Sequence, residues 1–306
     1  MLNLGYACIN VQLAEEGITT NRGMIRRTFQ QKGVAYASQL ALQNVQALYR
    51  ILQWNVEQGI RVFRITSELF PWASEYPLEE MPDFGAIRDV LQACGRLPIR
   101  MSTHPGPFNK MAGSGPTLEN TIRDLEIHAR LFDLMGLPPT HWNKINIHVG
   151  GAYGDKADTL KRFADNFGRL SLPLRQRLTV ENDDKPGLYT VADLLGLHES
   201  TGIPIVFDYF HHRLHNGGMS EAEAFSLAYD TWDLRPVFHY SSSRRDHEEP
   251  TAKAEAHADY VYEPINTYGK DVDIVLEAKM KEKALERYLT QFGPAHPLTP
   301  SRGEGE

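Results

Sequence analysis

A chain of 306 residues that is 42% hydrophobic and 23% charged can bury a sizeable core, which excludes a disordered polypeptide. Its net charge of −7 lacks the bulk basic signature of a nucleic-acid binder, although local patches rather than the total decide that question. The cysteines, Cys8 and Cys94, form no C-x-x-C, which excludes a disulfide framework and a zinc ribbon, and no apolar run approaches the ~20 residues that span a bilayer.

The first predicted strand is LNLGYACIN, Leu2 to Asn10, whose start has neither a basic n-region nor a long apolar core, so the expected setting is cytoplasmic. Next, VAYASQLALQNVQALYRILQWNVEQG places apolar residues at Leu40, Val45, Leu48, Ile51, Leu52 and Val56 and stops at Gly59, which predicts a long helix. IRVFRIT (Ile60 to Thr66) and PIRMSTH (Pro98 to His104) are the second and third strands. TLENTIRDLEIHARLFDLMG reads as a helix capped by Thr117 and ended at Gly136. KINIHVG (Lys144 to Gly150) and LTVEND (Leu178 to Asp183) follow as strands, then a helix capped by Thr190. IPIVFDY (Ile203 to Tyr209) precedes a helix capped by Ser220, and PVFHYSS (Pro236 to Ser242) and VDIVLEAK (Val272 to Lys279) complete the set. The connection before the eighth strand carries no clear pattern.

Strands alternating with helices predict parallel pairing, and eight such units predict closure into a single (βα)8 TIM barrel over residues 1–291, with 292–306 as a flexible tail. An open doubly wound sheet is the rival, but no G-x-G-x-x-G follows the first strand.

The C-terminal strand ends carry Asn10, Ser67 and Glu68, His104, His148, Glu181, Asp208 with His211, His239 and Glu277. Any one of these histidines alone reads more simply as a hydrogen-bonded core residue. A barrel, however, aims all of them at one centre, where carboxylates and imidazoles together are costly unless cations neutralise them. With His257 in EAHADY the candidate ligands are His104, His148, Glu181, Asp208, His211, His239, His257 and Glu277, too many for one ion and suited to two or three. Imidazole and carboxylate without thiolate suits Zn(II) or Mn(II), and Glu181 is the expected bridge. His212 and His215 are expected to flank the site or lie on the surface.

The motifs LGYACIN, FRITSELFPWAS, MSTHPG, HVGGAYGDK, VENDD, FDYFHH, AHADY and LEAKMKE, spread over about residues 1–283, resemble those of the UV damage endonucleases. The resemblance implies a barrel related to endonuclease IV and the xylose isomerase-like barrels. It implies a DNA repair enzyme that nicks the phosphodiester bond 5′ to UV photoproducts and other distorting lesions, leaving a 3′-hydroxyl. It further implies two or three Mn2+ ions, with Zn2+, Mg2+ or Co2+ as alternatives, acting on damaged double-stranded DNA. No membrane and no obligate protein partner are implied, and a monomer is expected.

By the same resemblance the eight ligand candidates match metal positions, and Tyr6 and Asn10 match positions tied to damage recognition. The HPG loop in this family often continues with a glutamine and an aromatic that probe the opposite strand; here Pro107 and Phe108 stand there. Val237 stands where some members carry a lysine that becomes carboxylated, and Glu68 where a member has histidine. Glu181 is assigned a catalytic role with Lys156 and Lys279 as holders of a phosphate oxygen, and Arg22, Arg244 and Arg245 as the basic rim. The alternative is a single-metal sugar isomerase or epimerase built on Glu181, Asp208, His239 and Glu277, for which His104, His148 and His257 are surplus. A catalytically silent damage-binding protein is a third reading, against which the intact ligand set argues.

Overall fold

A computed structural model of the chain describes residues 2–293, so the tail expected from residue 292 falls almost wholly outside the described residues. The strands are β1 (Leu2–Cys8), β2 (Val62–Ile65), β3 (Arg100–Thr103), β4 (Ile145–Ile147), β5 (Leu178–Glu181), β6 (Ile205–Val206), β7 (Val237–Tyr240) and β8 (Val272–Leu276). They form one sheet in the order β6-β5-β4-β3-β2-β1-β8-β7, and every ladder is parallel. The end strands β6 and β7 share no ladder. They meet at a parallel bridge between Asp208 and His239, where the His239 N–H donates to the Phe207 carbonyl at 3.0 Å. The fold is the expected (βα)8 barrel, nearly closed.

The helices are α1 (Val11–Glu15), α2 (Arg26–Glu57), α3 (Phe84–Gly95), α4 (Gly115–Leu134), α5 (Lys156–Phe167), α6 (Leu172–Arg175), α7 (Val191–Thr201), α8 (Tyr209–Leu214), α9 (Glu221–Asp230), α10 (Arg244–His247) and α11 (Lys281–Phe292). Helix α2 starts earlier than the apolar period predicts, because a short leading piece joins it across Gly33, whose φ of 62° breaks the helix. Thr117 is not the cap of α4: the helix begins after Ser114, with Pro116 in its first turn. Thr190 does cap α7, in a capping box with Asp193, and Ser220 caps α9. The connection before β8 contains only α10 and irregular chain, as its lack of pattern foreshadows. Among the described residues no helix is long and apolar enough to cross a membrane.

Alternation along the strands sets two kinds of packing. Tyr6 and Phe63 face the helices and meet edge-on at 5.1 Å. Gly5 faces Val62 across the β1–β2 ladder, where an added Cβ would lie 2.0 Å from the Val62 carbonyl oxygen. Inside the barrel Ala7, Val62, Val237 and Val275 make a small apolar cluster on one side. The other side is polar and fully buried: Ser102, Asn146, Thr179 and Lys144 line it. Polar atoms that deep require partners. Thr179 Oγ1 donates to Asn146 Oδ1 at 2.9 Å, and the Asn146 amide donates to Glu181. At the N-terminal end Arg100 and Asp273 pair at 2.9 Å, joined by Asn3 and Arg235, and plug the barrel. The interior thus becomes more chemically specialised towards the C-terminal ends of the strands.

Candidate metal centre

Each expected ligand arrives from a different element. His104 and His148 follow β3 and β4, Glu181 ends β5, and Asp208 closes the β6–β7 seam. His211 lies in the first turn of α8, His239 on β7, and Glu277 just beyond β8. His257 comes from the loop before β8, fixed by an antiparallel bridge to Ser243.

Glu181 is the centre of the arrangement. Its Oε2 lies 3.3 Å from His104 Nε2, 3.2 Å from His239 Nδ1 and 3.9 Å from His148 Nε2, and its Oε1 lies 3.3 Å from His211 Nδ1. Two clusters with ligand atoms close enough to hold an ion emerge, His104–His148–Glu181 and Glu181–Asp208–His239–Glu277, and Glu181 belongs to both. His211 and His257 stand at the edges, His257 Nδ1 at 3.8 Å from Glu277 Oε2.

The ring nitrogens are sorted by their other partners. The Nδ1 atoms of His104, His211 and His257 face the backbone carbonyls of Pro105 (3.1 Å), Asn182 (2.9 Å) and Glu277 (3.2 Å). His148 Nδ1 lies 3.1 Å from Asp183 Oδ1, an ion-pair approach without hydrogen-bond geometry. Each contact favours a proton on Nδ1 and leaves the Nε2 lone pair for an ion, the usual second contact of a metal-bound imidazole. His239 is reversed: Nδ1 faces Glu181 and Glu277, while Nε2 lies 3.2 Å from Lys144 Nζ. Asp208 Oδ1 accepts from the His211 N–H at 2.8 Å, but Asp208 Oδ2 and His239 Nδ1 are buried with no hydrogen-bond partner. Orphaned polar atoms at a dense carboxylate–imidazole cluster are what divalent ions would complete, so the residues present fit the expected metals.

Electrostatics agrees. Burial acts to raise the Glu181 carboxyl, yet the surrounding imidazoles of His239 and His148 hold it well below its ordinary value. Burial raises Asp208 to about 7 and lowers His239 to about 4. His211 is held well above its ordinary value, against burial, by Asp208 and Glu181, and His148 is raised by Glu181 and Asp183. These shifts favour protons on His148 and His211, which offset the carboxylates where cations otherwise would.

Several expected residues sit elsewhere. Tyr6 has no exposed surface; its hydroxyl donates to Asn55 at 2.7 Å and accepts from Asn10 at 2.9 Å. Asn10 is equally buried and caps α1 through Leu13 N–H at 2.8 Å. The damage-recognition role that the resemblance implies for Tyr6 does not fit this placement, because alternation turns the side chain towards α2. Lys156 Nζ is engaged by Asp193 at 2.8 Å, whereas the Lys279 side chain is exposed beside the Glu277 end of the site. Glu68 is exposed and belongs to neither cluster. His212 is buried against Phe207 at 5.3 Å. Arg22 is occupied by the Gly17 and Thr19 carbonyls, Arg244 by Glu249 and Arg245 by the Ala252 carbonyl, so these three build loops. Phe108 is 88% exposed and, with Pro107, projects from the mouth.

Lys144, Arg64 and Lys110 escape the strand-end reading. Lys144 is fully buried, which drives its ammonium well below the ordinary lysine range. Arg64 donates to Glu277. Lys110 lies along Gly150, where an added Cβ would come within 2.9 Å of its stem. It lines a cleft of about 370 Å3 with His104, His148, His211, Asp183 and Lys185. A basic residue at an inward strand position, such as Lys144 in NKINIHV, is the signal that would have found the first.

The family model described as UV-endonuclease UvdE matches residues 2–298. A UV-damage endonuclease of Schizosaccharomyces pombe is 32% identical over 97% of this chain and 52% of its own, so this chain spans about half that relative's length. A UV DNA damage endonuclease of Bacillus cereus is 31% identical over 82% of this chain and 81% of its own. The crystal structure of SacUVDE superposes with a TM-score of 0.79 at 32% identity, covering 95% of this chain and 99% of that one. Endonuclease IV of Thermus thermophilus, at 13% identity and a TM-score of 0.57 over 94% of this chain and 98% of that one, shares the fold.

Proposed function

The chain belongs to the UV-endonuclease UvdE family, and from that premise we propose that it is a metal-dependent hydrolase. It nicks the phosphodiester bond 5′ to UV photoproducts and other distorting lesions in duplex DNA, leaving a 3′-hydroxyl. The observation that carries this reading is the pair of ligand clusters sharing Glu181. A sugar isomerase or epimerase would use the Glu181–Asp208–His239–Glu277 cluster alone and is not favoured, because His104 and His148 complete a separate cluster with the same carboxylate.

Manganese is the ion we assign, and two or three such ions would supply an activated water and Lewis-acid stabilisation of charge on the phosphate. The chain's own residues prepare that chemistry. Glu181, kept ionised by its imidazole neighbours, offers one carboxylate to both clusters. Asn146 fixes its orientation from below. Asp183 and the carbonyls of Pro105 and Asn182 hold the histidine rings in ligating poses. Lys110 and Lys185 line the cleft through which a DNA strand would pass, and ammonium groups there hold phosphate oxygens. Lys279 offers a further exposed cation at the Glu277 end. Phe108 presents a ring face to bases exposed by a poorly stacked lesion, worth ~1–3 kcal/mol by stacking. Free Cys8 and Cys94 fit a reducing, cytoplasmic setting, and the reading needs only a monomer.

Plasmid nicking tests it. UV-irradiated supercoiled plasmid should be cut by the chelator-treated protein only after Mn2+ is added back, with undamaged plasmid largely spared. End-labelling should place a 3′-hydroxyl immediately 5′ to the lesion. Equal cutting of irradiated and unirradiated plasmid, or full activity in excess chelator, would defeat the reading.

A further inference from the structure

Arg64 lies on β2 between Ala7 of β1 and Ser102 of β3, and its side chain is only 13% exposed. It enters the metal centre from the one side of the barrel that provides no ligand. Its Nη1 donates to Glu277 Oε1, the same oxygen that faces His239 Nδ1 at 3.3 Å. An ion held jointly by Glu277 and His239 and this guanidinium therefore claim one carboxylate oxygen. Arginine does not yield by losing its proton, since burial opposes its charge but Glu277 more than restores it. It yields only by moving. It also has unused donors: Arg64 Nε is buried without a hydrogen-bond partner, and the residue's hydrogen bond to a side chain goes to Glu277 alone among the described residues.

We propose that Arg64 is a cation with two alternating partners. In the metal-free chain it neutralises Glu277. An ion seated on Glu277 and His239 displaces it, and its planar fork of donors then takes a non-bridging oxygen of the DNA phosphate. This assignment rests on the phosphodiester reading given above. It makes the Glu277 side the weaker of the two ion sites, since there a divalent ion must first remove a resident positive charge, whereas among the described residues no arginine or lysine is hydrogen-bonded to His104, His148 or Glu181.

Metal titration of the chelator-stripped chain tests the competition without DNA. Mn2+ binding is followed by calorimetry and checked by elemental analysis of desalted protein. The parent should show a tight and a weak class of ion. Arg64→Met should tighten the weak class on the order of tenfold, because a competing charge is gone. Arg64→Gln, which keeps a donor for Glu277 but no charge, should move the same way and covers the case in which the methionine variant fails to fold. Arg64→Lys, which keeps the charge, should stay close to the parent. If the neutral variants bind Mn2+ as weakly as the parent, or more weakly, Arg64 is a scaffold for Glu277 and the proposal is wrong. At saturating Mn2+ the neutral variants should also lose kcat for nicking by on the order of a hundredfold, with KM changed far less. Parental kcat at saturation would remove the phosphate role. Failure of the nuclease reading would leave the metal titration unaffected, so the two failures are separable.

Discussion

At Glu181 a single side chain faces four imidazoles and belongs to both ion clusters, so its loss should be felt twice. Glu181→Gln preserves shape and removes the shared charge. We expect the bound Mn2+ per chain to fall by at least one ion and nicking to fall by several orders of magnitude. A variant that keeps the parental metal count would end the bridging assignment. The histidines predict how metal binding varies with pH. His148 and His211 are raised and hold protons in the metal-free chain, whereas His104, His239 and His257 are lowered by burial and are already neutral. The first two, together with Asp208 raised by burial to about 7, must give up protons to bind, so Mn2+ affinity should climb as pH rises through and above neutrality, with protons released on binding. Calorimetry in buffers of different ionisation enthalpy counts those protons, and a flat profile would show that His148 and His211 do not ligate. Phe108 is 88% exposed on the loop that follows His104, so its ring face is free to meet a base. Phe108→Ala should weaken binding to a lesion duplex by roughly 1–3 kcal/mol and leave the metal content unchanged. Fluorescence anisotropy on damaged and undamaged duplexes is the check. At this scale the acids and imidazoles that the structure gathers round Glu181 were legible because such residues at strand ends are conspicuous. Arg64 was not, because the sequence does not show which carboxylate a strand-interior cation meets until the register is known.

Among the elements, strand existence and order were readable because each strand is a short apolar run bounded by loop residues, separated by longer periodic segments. Strand length was not: β6 keeps only Ile205 and Val206 in its ladder although the apolar run continues through Phe207. The orientation of Tyr6 was recoverable in principle. Gly5 and Ala7, small enough for the crowded interior, alternate with Leu4 and Tyr6, which turns the tyrosine outwards. The thin β6–β7 seam has its own consequence. The seam consists of the Asp208–His239 bridge, and both residues are candidate ligands in one cluster. Asn182 ties the other flank, with its amide donating to the Asp208 carbonyl at 3.0 Å and its oxygen accepting the Asp208 N–H at 2.8 Å. An ion shared by Asp208 and His239 would staple the barrel where its ladder is weakest. Mn2+ should therefore raise Tm and slow amide exchange in 205–208 and 237–240 more than in β1–β2, whose ladder is complete. Exchange slowed uniformly round the barrel, or not at all at the seam, would contradict this.

For the molecule as a whole the question is how a chain of net charge −7 holds a polyanion. The arginines that looked basic in sequence are tied up in loops, as Arg22, Arg244 and Arg245 show. The lysines left to face DNA near the centre include Lys110 and Lys185 along the cleft and Lys279 beside Glu277, set among Asp183 and Asp184. Bound divalent ions would offset the carboxylates and leave those lysines as the effective rim. With about three phosphates neutralised, the dependence of log K on log salt should have a slope near −2.7, since each contact contributes about −0.9. Affinity for an undamaged duplex should then fall only about fortyfold between ~50 and 200 mM salt, far less than for a strongly basic DNA binder. Lys110→Ala should make the slope shallower by about 0.9, because it removes one counterion-releasing contact. Stripping the metals should weaken binding at every salt concentration, because the carboxylates are then exposed to the backbone charge. Anisotropy titrations on one duplex, repeated for the parent, the variant and the metal-free chain, give all three quantities. A slope unchanged by Lys110→Ala would take DNA away from the 370 Å3 cleft, and a metal-free chain that binds as well as the loaded one would show that the ions play no part in docking.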